Sequence, residues 1–315
     1  MTQGENPVLV ADVGGTNTRV ALAQGRALID GATERFRNAE FDGLEDVLRA
    51  YLARHAIRPS RAAIALAGPV QGDHAAMTNL GWQVQAPALA QASGIGHIAL
   101  LNDLQAQGHA VPYLAQAHLR MVRGAAPAPG TKLVIGLGTG VNAAPVYPLG
   151  AGHIVPPAEA GHIHLPLKGA EDYALADWLT ERRGFASVED VLSGAGLERL
   201  YAFHTPNQPA LDAGAIMTAL GARDERAVAV GRHYVRLLAQ LAADLALTTL
   251  PFGGIYLIGG VARAFGPWLD EFGFEQGFTA MGRFSDLVAR FPVAIVEDDF
   301  AALAGCAAYL SGQMA

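Results

Sequence analysis

DVGGTNTR, residues 12–19, is the stretch on which the fold turns. Apolar segments lead into it at residues 8–11 and out of it at 20–23, so it reads as a glycine-rich turn joining two strands. Gly14 and Gly15 permit positive φ, which lets backbone amides converge on a small anion. Asp12 adds a carboxylate suited to magnesium, and Thr16 and Asn17 add hydroxyl and amide contacts. The combination reads as a triphosphate grip; the same letters also suit a plain β-hairpin. Neither a GxxxxGKS/T run nor GxGxxG after a strand occurs in the chain, so a grip here belongs to a different phosphate-binding architecture.

Working outward, strand-like runs fall at residues 7–12, 18–23, 62–67 and 97–101. A helix is predicted over 44–55, where Leu44, Val47, Leu48, Tyr51 and Leu52 recur at helical spacing, and a shorter one near 87–93. These make a first α/β domain that ends shortly after Asn102 and Asp103. LVIGLGTGVNAAPVY, residues 133–147, then repeats the layout of strand, Gly/Thr turn and strand about 124 residues after the first copy, with no acid in the place of Asp12. The echo suggests a duplicated phosphate-binding hairpin, and two such hairpins facing each other would clamp one nucleotide. Helices follow, including a long one from about residue 225 to 250 with Val228, Val235, Leu238 and Leu245 in its apolar stripe. Its Arg232 and Arg236 read as outward, solvated residues. The apolar strand within GGIYLIGGVARAF, residues 253–265, ends on Gly259 and Gly260, a third candidate nucleotide contact, for adenine or ribose. A strand at 292–297 and an alanine-rich helix at 299–310, capped by Asp298 or Asp299, follow.

Composition narrows the class. The 315 residues suffice for two domains, and 51% hydrophobic against 16% charged residues describes an ordered, enzyme-like body. A net charge of -7 without a Lys/Arg cluster argues against a nucleic-acid partner. The single cysteine, Cys306, excludes a disulfide framework and a multi-cysteine zinc site, and points to the reducing cytosol. Residues 1–7 lack the basic start and apolar run of a signal peptide. Residues 133–157 carry no Asp, Glu, Lys or Arg, but their glycines and prolines suit buried strands and loops better than a membrane span.

Four further segments carry candidate chemistry. Asn102-Asp103 follows the strand HIALL, where a parallel sheet presents functional residues at its carboxyl edge. A carboxylate there could take the proton of an alcohol attacking phosphorus, or the pair could simply cap the next helix. In PPAEAGHIHLP, residues 156–166, Glu159 and His162 are spaced to face one polyol, while His153, His162 and His164 allow a metal reading that no motif enforces. In SVEDVLSGAGLERLY, residues 187–201, Ser187 starts a capping pattern, and Glu189 is either a helix-start acid or a second carboxylate for a sugar. MTNLGW, residues 77–82, offers Thr78 and Asn79 to hydroxyls with Trp82 as a wall, or forms an ordinary turn.

Taken together these residues resemble the bacterial glucokinase family, in the hexokinase branch of the actin-like ATPases. The resemblance covers nearly the whole chain, with six motifs in the family's order: DVGGTNTR, AMTNLGW, LLNDL, AEAGH, SVEDVLSGAGLERLY and LIGGV. It implies an α/β, two-domain actin-like ATPase (ribonuclease H-like) fold with nucleotide and sugar in the interdomain cleft. A small α/β domain over residues 1–105 plus the C-terminal helix at 298–315, and a large α+β domain over 106–297, are expected. By resemblance Asp103 is the catalytic base for the sugar's 6-hydroxyl, and Asn79, Asn102, Glu159, His162 and Glu189 bind the other hydroxyls. Asp12 holds Mg2+ through water; Gly14, Gly15, Thr16 and Asn17, with Gly138, Thr139 and Gly140, hold phosphates; Gly259 and Gly260 meet the adenosine. ATP as donor, glucose as acceptor, a homodimer and a cytoplasmic, glycolytic role are implied in the same way.

Two departures stand out. Asn142 occupies a position where the family has glycine, which puts phosphate affinity in question, and Leu104 replaces a common aromatic, which alters packing rather than chemistry. The ROK kinases and repressors share the fold, but their cysteine-rich zinc motif cannot form from one cysteine, and seven residues before the first strand leave no helix-turn-helix. The expected activity is ATP-dependent phosphorylation of glucose; the alternatives are another hexose or amino sugar, or a sugar-sensing protein whose nucleotide grip Asn142 weakens. Phosphate loops do not distinguish ATP from ADP or polyphosphate.

Overall fold

The computed structural model describes residues 6–55, 57–77, 80–125 and 128–312. The apolar runs flanking DVGGTNTR form β1 (Val8–Val13) and β2 (Asn17–Gln24), an antiparallel pair extended at the far side of β2 by β3 (Ala27–Leu28) and β4 (Glu34–Arg37). After α1 (Leu44–Arg54), β5 (Arg61–Leu66) pairs parallel to β1. The short strands β6 (Val70–Gln71), β7 (His74–Met77) and β8 (Trp82–Gln85) make a small sheet of their own. Then α2 (Ala86–Ser93) leads to β9 (His97–Asn102), parallel to β5, and α3 (Asp103–Ala110). β1 and β5 are apolar on both sides because both sheet faces are covered. Leu9, Ala11 and Ile64 pack towards α1 and α2, whereas Val10, Ala63 and Ala65 pack with residues of α3 and of the last helix, α12 (Ala301–Gly312).

The second half repeats this order with longer insertions. It holds β10 (Leu119–Arg123), β11 (Lys132–Leu137) and β12 (Val141–Leu149), then β13 (Gly152–Ile154). Five helices follow: α4 (Ala170–Arg183), α5 (Glu189–Leu192), α6 (Gly194–His204), α7 (Ala213–Gly221) and α8 (Glu225–Thr249). They precede β14 (Ile255–Ile258), α9 (Gly260–Phe265), α10 (Phe274–Thr279), α11 (Ser285–Val288) and β15 (Val293–Val296). The strand order β2-β1-β5-β9 of the first sheet and β12-β11-β14-β15 of the second are the same pattern, an antiparallel hairpin followed by two parallel strands.

Two compact units result, one of Met1–Leu114, Pro148–Pro157 and Asp298–Ala315, the other of Ala115–Tyr147 and Ala158–Glu297. The division expected after residue 105 therefore lies after Leu114, and ten residues following β12's buried part also group with the first unit. The reason is α12: its small residues let it lie directly on α3, where a Cβ at Gly305 would come within 1.6 Å of the Ala106 carbonyl oxygen. The alanine-rich helix thus packs into the first unit's core, entered through Asp298, whose Oδ1 accepts from the Phe300 N–H at 2.8 Å. Arg236 departs from the outward, solvated reading. Its guanidinium donates to the fully buried Asp172 at 2.7 Å and to Glu171 at 2.9 Å, tying α8 to the start of α4. Arg232 is exposed, above the ring of Phe272. The charge-poor run 133–157 is mainly strand, and no helix among the described residues is long and apolar enough to cross a membrane.

Candidate active site

In the first unit, Val13, Leu66 and Asn102 lie in one row at the carboxyl ends of three parallel strands. The DVGGTNTR turn and Asn102-Asp103 therefore leave the sheet at the same edge, where open α/β sheets bind ligands. The turn closes through the Gly14 N–H donating to the Asn17 carbonyl at 3.0 Å. Neither Gly14 nor Gly15 takes the positive φ that the sequence permits; their contribution is bare, accessible backbone beside the exposed Thr16. Behind the turn sits Asn38, only 2% exposed. Its Oδ1 accepts from Thr18 Oγ1 at 2.8 Å, its Nδ2 donates to the Gly14 carbonyl at 2.8 Å, and its backbone N–H donates to the Thr16 carbonyl at 3.0 Å. Sequence reasoning passes over Asn38, because a lone Asn between a strand and a helix is ordinary loop chemistry and only its burial marks it out.

Asp12 pairs loosely with Arg19, Oδ2 to Nη1 at 3.9 Å. Burial pushes its carboxyl above the usual carboxylate range, and the Arg19 guanidinium pulls it part of the way back. A half-withdrawn carboxylate with one long ion pair fits a hydrated divalent cation, since oxygen ligands suit Mg2+ and the missing counter-charge would be supplied.

Of the two readings of Asn102-Asp103, the structure shows the cap. Asn102 is the cap: its Oδ1 accepts from the Leu104 N–H at 3.0 Å, Gln105 Oε1 accepts from the Asn102 N–H at 3.2 Å, and its Nδ2 donates to the Gly68 carbonyl at 3.1 Å. For a sugar contact Asn102 has its second amide hydrogen. Asp103 opens α3 half-buried, its Oδ1 accepting from the Leu104 N–H at 2.8 Å. Asn79 and Thr78 lie outside the described residues; Trp82 of β8 pairs with Met77 of β7.

In the second unit the matching turn spans residues 138–140, with the Gly138 N–H donating to the Gly140 carbonyl at 3.0 Å and Thr139 exposed at its tip. Two neighbours hold it. Glu189 Oε2 accepts from the Val141 N–H at 2.9 Å, close enough that a Cβ at Gly140 would sit 2.7 Å from that oxygen, and the Gly194 N–H donates to the Gly138 carbonyl at 2.8 Å. Ser187 and Asp190 form a reciprocal cap before α5, but the helix breaks at Ser193, which caps α6 in its turn. Gly259 follows β14 with φ +113°, and any Cβ there would lie 2.2 Å from the Leu137 carbonyl oxygen, so only glycine fits beside the turn; Gly260 begins α9.

Asn142 is not in the turn. It lies in β12 opposite Gly136, without positive φ, so the expected weakening of the phosphate loop by Asn142 does not follow, and with it goes the ground for a sensing protein. Its side chain instead fastens the next segment: Nδ2 donates to the Ala158 carbonyl at 2.5 Å and Oδ1 accepts from the Ala160 N–H at 2.9 Å. Gly161 presses its backbone onto β12, where a Cβ would come 1.9 Å from the Val141 carbonyl oxygen. Glu159 and His162 consequently stand exposed on one short 3-10 turn, joined by the His162 N–H donating to the Glu159 carbonyl at 3.1 Å. Of the histidines open to a metal reading, His153 is engaged by His109, Nε2 to Nδ1 at 3.0 Å.

These placements can be set beside known proteins. A family model described as Glucokinase matches residues 9–313. The chain belongs to the glucokinase family. It is similar to the glucokinase of Yersinia enterocolitica, 32% identical over 313 residues and spanning 96% of this chain and 95% of that protein. A crystal structure of glucokinase from an Antarctic psychrotroph superposes with a TM-score of 0.86 at 31% identity, covering 98% of this chain and 99% of that one. The ROK hexokinase of Thermus thermophilus, 20% identical, shares the fold at a TM-score of 0.71, covering 98% of this chain and 99% of its own. The fold is that of the two-domain sugar kinases, and the family is one of phosphotransferases.

Proposed function

We propose that this enzyme transfers the γ-phosphoryl group of ATP to the 6-hydroxyl of glucose, with Asp103 as general base. The observation that carries the reading is the shared carboxyl edge of the first sheet, which presents Asp103, rigidly seated on a capped helix, beside the exposed backbone of the DVGGTNTR turn. In support, a ROK family glucokinase from Streptomyces griseus with this fold was crystallised with glucose and AMPPNP, and the Balamuthia mandrillaris glucokinase with glucose.

Asn79, Asn102, Glu159, His162 and Glu189 bind the remaining hydroxyls and fix the sugar so that the 6-oxygen lies in line with the γ-phosphorus. As the oxygen–phosphorus bond forms, the Asp103 carboxylate takes the hydroxyl proton, the bond to the β-phosphate oxygen breaks, and ADP leaves. Gly14, Gly15, Thr16 and Asn17, with Gly138, Thr139 and Gly140, offer amides and hydroxyls to the phosphates, and Gly259 and Gly260 leave room for the adenosine. Asp12 would hold Mg2+ through water; when bound, the ion neutralises charge on the phosphate oxygens. The duplicated hairpin-and-parallel-strand pattern supports placement among the actin-like ATPases. A homodimer working in the cytoplasm completes the reading, its assembly measurable by sedimentation.

A coupled assay with ATP, Mg2+ and glucose tests the activity. Asp103→Ala is expected to lower kcat by about 10²–10⁴-fold while glucose binding persists in calorimetry. Retained turnover would remove Asp103 from the base role.

A further inference from the structure

The second unit contains a group of side chains that the phosphoryl-transfer site does not use. Glu171 in the first turn of α4, His204 at the end of α6 and His233 in the middle of α8 each offer a ligand atom, all within 4.8 Å of one another. His204 Nε2 lies 2.9 Å from His233 Nδ1, and Glu171 Oε2 lies 3.8 Å from the same nitrogen.

The second ring nitrogen of His233 decides what this cluster can do. His233 is 3% exposed, and its Nε2 lies 2.9 Å from Oδ1 of the fully buried Asp172. A carboxylate accepts only, so Nε2 carries the proton and Nδ1 presents a lone pair to His204 and Glu171. A carboxylate behind a histidine whose other nitrogen faces outward is the outer-shell arrangement that orients metal-ligating imidazoles. Asp172 is itself held by Arg236 at 2.7 Å and by the Lys168 N–H at 2.7 Å, so the ring cannot turn freely.

We propose that Glu171, His204 and His233 bind a divalent transition-metal ion, Zn2+ before others. Two imidazoles and one carboxylate are a borderline-soft set that suits zinc rather than magnesium or calcium. Zinc bonds of about 2.0–2.1 Å place tetrahedral ligand atoms about 3.3 Å apart, between the two separations seen here. Three protein ligands leave a fourth position open, and the cluster lines a cavity of about 780 Å3 that also contains Lys168 and Arg232, so water or a small anion completes the shell. Because the ligands come from three helices, the ion would staple α4, α6 and α8 together.

The test uses the full chain without a histidine tag, stripped with chelator and titrated with ZnCl2 by calorimetry and with Co2+ by visible absorption. One equivalent is expected to bind at micromolar concentration or tighter, with the intense Co2+ bands of a tetrahedral site. A hundredfold excess of Zn2+ over Kd is expected to raise Tm by about 5 °C or more. Glu171→Gln, at an exposed position, and His204→Gln are each expected to weaken Zn2+ binding at least tenfold and to reduce the Tm shift, with glucose phosphorylation in Mg2+ unchanged. Absence of stoichiometric binding by the unaltered chain overturns the proposal. So does equal affinity in Glu171→Gln, which retains the acceptor for Arg236 and does not depend on refolding of a buried site.

Discussion

The two glycine-rich hairpins are built alike and braced differently. In each, a strand enters, three or four residues turn, and an antiparallel strand leaves beside two parallel neighbours. The first pairs Val13 with Thr18 and the second Leu137 with Val141, so the second turn is tighter by one residue. The first carries an acid, Asp12, and is held from behind by Asn38, a residue with no other visible task. The second carries Gly136 at the corresponding position and is held by Glu189, while Asn142 in its outgoing strand secures the segment bearing Glu159 and His162. One backbone device has thus been given two settings: the first hairpin carries the residues proposed for donor phosphates and cation, and the second mechanically joins its turn to the residues proposed for the sugar.

Substitutions can break that contrast. Asp12→Asn has the largest expected effect, a fall of about 10²-fold or more in kcat/KM for MgATP with glucose affinity little changed, measured by steady-state kinetics and calorimetry. An equal loss of glucose binding would erase the assignment of Asp12 to the donor side. Asn38→Ala removes two hydrogen bonds from a buried position and leaves the Thr18 hydroxyl and Gly14 carbonyl without them, a cost of about 1–3 kcal/mol. The KM for ATP is expected to rise about tenfold with kcat nearly constant; general destabilisation with both Michaelis constants unaltered would make Asn38 a scaffold residue only. Asn142→Gly removes the side-chain links to Ala158 and Ala160 and is the smallest change. It is expected to raise the glucose KM about fivefold, through loosening of residues 158–160, while the ATP KM moves less. A better ATP KM in this variant would return Asn142 to the phosphate loop.

Legibility in the sequence followed the range of the forces involved. Hairpin, strand and helix positions were readable because apolar periodicity and turn letters act over a few residues, and α1 was anticipated down to its five buried side chains. Six motifs in order were enough for the family resemblance. Arg236 was misread because helical spacing alone places it on the polar face, whereas a buried acid 64 residues earlier in the chain draws it inward. Asn142 was misread because its neighbourhood resembles a turn, while pairing with Gly136 makes it a strand residue. Asn38 left no signal at all.

By itself, then, the sequence determined the chemistry available and its local setting: an acid before a glycine turn, an Asn-Asp pair at a strand end, Glu and His three apart. Covalent spacing and side-chain identity suffice for those. Only the tertiary structure decided which of these groups are spent on scaffold and which face outward, because that depends on hydrogen-bond partners distant in the chain. Asn102 became a cap, Asn38 the brace behind the first hairpin, and Asn142 the tie to the segment bearing Glu159 and His162, through contacts that no local pattern encodes.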